Sequence, residues 1–315
     1  MTKYRKRLPQ LDGGLFLTDG GLETTLIFHE GIDLPHFAAF DLLRERGGVA
    51  TLDAYYRRYA AIARAGGFGF ILESATWRAS SDWGYRLGYS DAALSIANKE
   101  SVAPLASLRT ELETDNSPVV ISGCIGPRGD GYVAGNLMTE TEAEHYHAAQ
   151  AQAFRETAAD MITAITMTNE AEAIGITRAA MAVDMPVVIA FTVETDGRLP
   201  TEQSLKDAIE AVDAATGNGP AYYMINCAHP THFEGVLATD EDWMGRVRGL
   251  RANASRCSHA ELDEATELDD GDPVEFGGQY REFLRRHPQI NVLGGCCGTD
   301  HRHVEQISAA CRLAA

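Results

Sequence analysis

No run of apolar residues in this chain approaches the ~18 needed to span a bilayer. Positive charge is scarce: 27 Lys and Arg stand against 45 Asp and Glu, a formal charge of −18 over 315 residues. A chain so acidic is a poor partner for nucleic acid or an anionic membrane surface. The basic stretch Met1–Arg7 leads into Asp12, Gly13 and Gly14 instead of an apolar segment, so no export signal is expected. Cysteine is sparse and scattered, at 124, 227, 257, 296, 297 and 311. Without an export signal these read as thiols or metal ligands, not a disulfide framework, and the expected location is cytoplasmic. A dinucleotide-type GxGxxG turn is also missing. The first turn reads Asp19-Gly20-Gly21-Leu22-Glu23, which counts against a doubly wound sheet.

What the chain does have is alternation. Short apolar runs at Leu15–Thr18, Gly69–Glu73, Pro118–Ser122, Met161–Ile165, Pro186–Phe191, Tyr222–Asn226, Val247–Arg251 and Ile290–Leu293 read as buried parallel strands. Helical patterns separate them at 51–66, 91–113, 140–158, 169–182, 203–216, 275–287 and 300–312, with a weaker one in 230–244. Thr139 or Thr141 is expected to cap the third of these and Thr299 or Asp300 the last. Eight βα units in one chain predict an α/β fold, a single-domain (β/α)8 TIM barrel over 15–315 after a tail at 1–14. The stretch 253–271, acidic and poor in apolar residues, reads as a long loop after the seventh strand.

Barrel enzymes carry their chemistry at the C-terminal ends of the strands, and the conspicuous motifs fall there. Gly294-Gly295-Cys296-Cys297-Gly298-Thr299 ends the eighth strand. Adjacent cysteines rarely bond to each other, but both can bind one Zn²⁺ as thiolates if the backbone turns sharply, which flanking glycines permit. Cys227, at the end of the sixth strand, is the best third ligand. Two strand ends separated by one strand lie roughly 9–10 Å apart, from a neighbour spacing of about 4.8 Å, so inward side chains can meet on one ion. Three inert core thiols or a closed structural zinc are the alternatives. The pairs His145/His147 and His301/His303 fall in helical patterns, where positions i and i+2 do not face each other.

Asn226-Cys227 before a proline, Gly294–Thr299, Asp19-Gly20-Gly21 and Phe191-Thr192 with Asp196-Gly197-Arg198-Leu199 resemble the homocysteine S-methyltransferase family, over nearly the whole chain. The resemblance implies a zinc-dependent barrel that moves a methyl group onto a thiol, usually that of homocysteine, giving methionine. It implies Cys227, Cys296 and Cys297 as zinc ligands and Asp19 as the residue that meets the amino group of homocysteine. Gly20, Glu23, Thr76 and Asn226 join Asp19 as candidate substrate-binding residues. The short, single-domain branch implies a sulfonium methyl donor, S-methylmethionine or S-adenosylmethionine, with a betaine as the alternative. Small molecules are the expected partners. Trp77, Trp83, Tyr85 and Tyr89 offer aromatic faces to a methylonium cation or serve ordinary packing. One position departs from the family. A glutamate that helps bind the amino group is replaced by Ile165 within Ala164–Asn169. Either Glu23 or Glu73 supplies the missing carboxylate, or the acceptor is a thiol without an α-ammonium group. A zinc-binding barrel without turnover is the remaining alternative.

Overall fold

The computed structural model describes residues 2–312. Eight parallel strands close into a barrel: β1 (Phe16–Leu17), β2 (Gly69–Glu73), β3 (Val119–Ile125), β4 (Met161–Met167), β5 (Val187–Phe191), β6 (Tyr222–Asn226), β7 (Val247–Ala252) and β8 (Val292–Gly295). Each pairs with its neighbours in sequence, and β8 closes on β1 through Phe16 with Val292 and Leu17 with Leu293. The TIM barrel expected from the alternation is therefore the fold. The longer helices outside it are α1 (Gly48–Gly66), α2 (Asp91–Leu112), α3 (Glu140–Arg155), α4 (Glu170–Ala182), α5 (Leu205–Thr216), α6 (Pro230–Leu237), α7 (Pro273–Arg286) and α8 (His301–Arg312). No helix among the described residues is long and apolar enough to cross a membrane.

The strands are apolar because they are covered on both faces. Outward residues such as Phe70, Ile121, Ile162, Ile189, Ile225 and Leu250 pack under the helices. Inward residues, including Phe16, Ile71, Val120, Met161, Val188, Tyr222 and Val292, fill the lower barrel. Helix starts follow short polar side chains. The Thr139 hydroxyl accepts the Glu142 N–H, and the Glu142 carboxylate in turn accepts the Thr139 N–H, a capping box opening α3. At α8 the Asp300 carboxylate accepts the Arg302 N–H at 2.9 Å.

Residues 3–12 close the lower end of the barrel. Leu8 packs into the inward cluster, and the Gln10 carbonyl accepts from the Asn291 amide at 2.7 Å. Asp160, fully buried, gathers this end. It accepts the N–H groups of Lys3 and Tyr4 at 2.9 Å each, that of Ile121 at 3.0 Å, and the Arg109 guanidinium at 2.5 Å.

The structure moves several boundaries. β1 is only two residues long, while β3 and β4 run past the expected ends to Ile125 and Met167. Between β1 and α1 the chain makes short turns of helix at Leu22–Thr24, Thr25–His29 and Ala39–Arg44, where the apolar pattern had predicted none. The acidic stretch 253–271 is not one loop. Ser258 and Glu261 form a second capping box that starts a short helix, His259–Glu264, over the barrel mouth.

Candidate active site at the barrel mouth

Three cysteine sulfurs meet at the C-terminal end of the barrel. Cys227 follows β6 with φ of 53°, a left-handed conformation that a residue with a side chain adopts at a cost. Its neighbours hold it there. The Cys227 N–H donates to the Arg251 carbonyl at 3.1 Å, and its carbonyl accepts from His259 Nε2 at 2.7 Å. Beyond β8, the Cys296 N–H donates to the Ala252 carbonyl at 2.8 Å, and the Cys297 carbonyl accepts the Ala254 N–H at 3.1 Å. The end of β7 thus grips both cysteine segments. The glycines around them differ in purpose. Only Gly298, with φ of 76°, needs the left-handed region. Gly294 and Gly295 are extended, and a Cβ there would run into the hydroxyls of Thr18 and Thr299.

The ligand atoms of Cys227, Cys296 and Cys297 all lie within 4.8 Å of one another. Cys227 and Cys296 are joined as a disulfide with their Cα atoms 5.4 Å apart, and Cys227 Sγ is 4.0 Å from Cys297 Sγ. Tetrahedral zinc with Zn–S bonds near 2.3 Å needs sulfur pairs about 3.8 Å apart. The donor set fits such an ion once the Cys227–Cys296 pair is reduced. The Tyr132 hydroxyl donates to Cys297 Sγ at 3.1 Å. Burial pushes the Cys297 thiol up to about 11, so at neutral pH a bound cation is what would draw its proton off.

Below and beside the sulfurs lies a cavity of about 320 Å³, lined among others by Asp19, Glu23, Glu73, Arg78, Ile165 and Arg251. Arg251 reaches inward from β7 and binds the carboxylates of both Asp19 and Glu73, while its Nε donates to the Gly295 carbonyl at 3.2 Å. Asp19 also accepts the Tyr55 hydroxyl at 3.2 Å. Burial still wins over Arg251 and raises the Asp19 carboxyl to about 6. Gly20 lines the same wall, with its carbonyl accepting from Tyr55 at 3.1 Å. Glu23 enters no ion pair with any described residue, and burial pushes its carboxyl up to about 7. Of the two carboxylates offered in place of the missing glutamate, Glu73 is therefore engaged by Arg251 and Glu23 is not.

Thr76 and Asn226 sit behind the cavity wall. The Thr76 hydroxyl donates to the Cys124 carbonyl at 2.8 Å, tying the β2 and β3 ends together. Asn226 accepts the Thr166 N–H at 2.8 Å and donates to its hydroxyl at 2.9 Å, which fixes the β4 end beside Cys227. Of the aromatic residues read as cation faces or as ordinary packing, Trp77, Trp83 and Tyr89 are covered by the chain's own arginines. Arg78 lies 3.9 Å and 3.8 Å from the ring centroids of Trp77 and Trp83, and Arg44 lies 3.1 Å from that of Tyr89. The helical histidines serve structure: His147 Nε2 pairs with Glu172 at 2.9 Å, and His303 with Asp300 at 3.3 Å. Arg251, Arg78 and Tyr132 were not picked out by sequence reasoning. Only Arg251 left a signal there, a charge at the C-terminal end of a strand run, where barrel enzymes carry their chemistry.

The homocysteine S-methyltransferase family matches residues 16–311. The chain belongs to that family. Membership in the homocysteine S-methyltransferase family makes the protein an enzyme of methyl transfer to a thiol. Among solved structures, the oxidized form of the homocysteine methyltransferase MmuM from Escherichia coli superposes with a TM-score of 0.73 at 17% identity, covering 96% of this chain and 97% of that one. The metallated form of the same enzyme gives a TM-score of 0.70 at 15% identity, covering 96% and 98%. Both likenesses are of fold. No curated protein matches the chain. A barrel without turnover is thus set aside by family membership.

Proposed function

We propose that this homocysteine S-methyltransferase family member methylates the thiol of homocysteine, using a sulfonium donor such as S-methylmethionine or S-adenosylmethionine, at a zinc ion held by Cys227, Cys296 and Cys297. The observation that carries the reading is the convergence of the three ligand atoms within 4.8 Å at the head of a cavity that bears carboxylates. Zinc, when bound there, supplies the positive charge that keeps a thiol deprotonated at neutral pH. The residues of the chain do the rest. Asn226 and Thr166 hold the Cys227 turn, and Tyr132 donates toward Cys297. Glu23, without a cation of its own, receives the substrate ammonium next to Asp19. In the transfer the acceptor sulfur forms the new S–CH3 bond, and the donor's C–S bond breaks with its electron pair left on a neutral thioether. The acceptor's proton goes to solvent. No general acid is needed, and positioning of the two sulfurs supplies most of the acceleration. A cytoplasmic setting, where thiols stay reduced, suits three free ligands.

Isothermal titration of L-homocysteine into zinc-loaded protein tests this, with Cys296→Ala as control. Binding in the parent and none in the control is expected. An equal affinity in both would remove the sulfur cluster from the site. A second acceptor class, thiols lacking the α-ammonium, is motivated by Ile165, which lines the cavity and accepts no hydrogen bond. The unpaired Glu23 favours homocysteine over it.

A further inference from the structure

Three arginines are buried among the described residues: Arg78, Arg109 and Arg251. Two of them face carboxylates, Arg109 with Asp160 and Arg251 with Asp19 and Glu73. Arg78 has none. It follows β2, is 5% exposed and lines the cavity. Its guanidinium is stacked between Trp77 and Trp83 and donates once, from Nη1 to the Gly129 carbonyl at 2.8 Å. Its Nε finds no acceptor among the described residues. Glu23 and Asp130 act on it only through space, with neither in ion-pair contact. A buried cation without a counterion is costly, and a planar guanidinium held rigid by two rings is shaped to take a carboxylate through two parallel bonds.

The same cavity is lined by the opposite defect, the Glu23 carboxylate with no cation. The two charges do not bond to each other. A ligand that carries both an ammonium and a carboxylate would neutralise both at once. A simple anion would meet Asp19, Glu23 and Glu73 together, and a simple cation would meet Arg78 and Arg251. We propose that Arg78 is the receptor for the α-carboxylate of the acceptor amino acid and, with Glu23, clamps it as a zwitterion. This rests on the homocysteine reading above. Arg78 makes the site specific for an α-amino acid thiol in a chain whose β4 end offers Ile165.

The test compares three thiols by isothermal titration into zinc-loaded protein of verified metal content. They are L-homocysteine, 3-aminopropane-1-thiol, which lacks the carboxylate, and 4-mercaptobutanoate, which lacks the ammonium. Arg78→Met is expected to weaken homocysteine and 4-mercaptobutanoate by about ten- to hundredfold, the effect of one charge-assisted hydrogen bond, and to leave 3-aminopropane-1-thiol unchanged. Glu23→Gln is expected to weaken homocysteine and 3-aminopropane-1-thiol and spare 4-mercaptobutanoate. Arg78→Lys, which keeps the charge without the fork, should recover part of the loss, and circular dichroism melts show whether each variant is folded. Wild-type affinity for homocysteine in Arg78→Met overturns the proposal. So does equal weakening of all three thiols, the mark of a merely structural role, or an effect confined to the KM of the methyl donor. Failure of the homocysteine reading shows in the wild-type protein, as no binding of homocysteine, and takes the clamp with it. Failure of the clamp alone shows only in the variants.

Discussion

Replacing Arg251 with methionine removes the shared cation of two buried carboxylates. Asp19 and Glu73 each have side chains about 6% exposed, and both bind this one guanidinium. Methionine fills much of the arginine stem's volume, so the loss is mainly electrostatic. Breaking a buried pair by removing one partner costs about 3–5 kcal/mol, because the charge left behind is neither hydrated nor matched. The cost must depend on pH. Burial already raises the Asp19 carboxyl to about 6, and Arg251 opposes that rise. Without the guanidinium the folded-state value climbs further above that of the unfolded chain. A carboxyl raised in this way contributes stability that is fully present below its unfolded pKa and lost as pH rises through its folded pKa. The variant should therefore lie near the parent at pH 4 and fall progressively behind it by pH 8. Urea unfolding followed by far-ultraviolet circular dichroism at both pH values measures this. A deficit below about 1 kcal/mol at pH 8, or one that ignores pH, would refute the placement of Arg251 as the charge that holds the barrel mouth together.

Two further outcomes follow from named groups. Glu23 must be ionised to receive an ammonium, and burial holds its carboxyl up to about 7. Homocysteine affinity should fall as pH drops from 8 to 6, and the difference between wild type and Glu23→Gln in titration calorimetry should shrink over the same interval. A constant difference would remove Glu23 from the ammonium site. Asp160→Ala takes a fully buried carboxylate from Arg109 and from the N–H groups of Lys3, Tyr4 and Ile121. It should cost at least about 3 kcal/mol and expose residues 3–10 to hydrogen exchange, whereas a wild-type melting profile would contradict the account of the barrel floor.

The barrel was legible because parallel strands covered on both faces are mainly apolar, and the eight runs were, although Val247–Arg251 carries two arginines. Strand ends were less so. β4 reaches Met167 by pairing with Phe191 past a bulge, where Asn226 accepts the Thr166 N–H, a contact from 60 positions away that no local pattern encodes. The helix at His259–Glu264 lies in a sequence too acidic to show an apolar face, and its capping box at Ser258 and Glu261 was the readable sign. Cys227, Cys296 and Cys297 could be singled out because each follows an inner strand, and they do converge. Arg78 could not. Its neighbours Trp77 and Trp83 were read as faces for a ligand's cation or as ordinary packing, and only the fold shows an internal cation already between them.

Residues 3–10 stopper the barrel from below, and their partners sit far along the chain: Asp160 to Lys3 spans 157 positions, and Asn291 to Gln10 spans 281. Synthesis runs the other way. This segment leaves the ribosome well before its partners, yet its socket exists only when β4, β6 and β8 have been made and ring closure is complete. It must wait unpaired through almost the whole of translation, with Leu8 exposed. Anything attached ahead of it would hang from the barrel's underside, opposite the mouth, and would burden assembly more than catalysis.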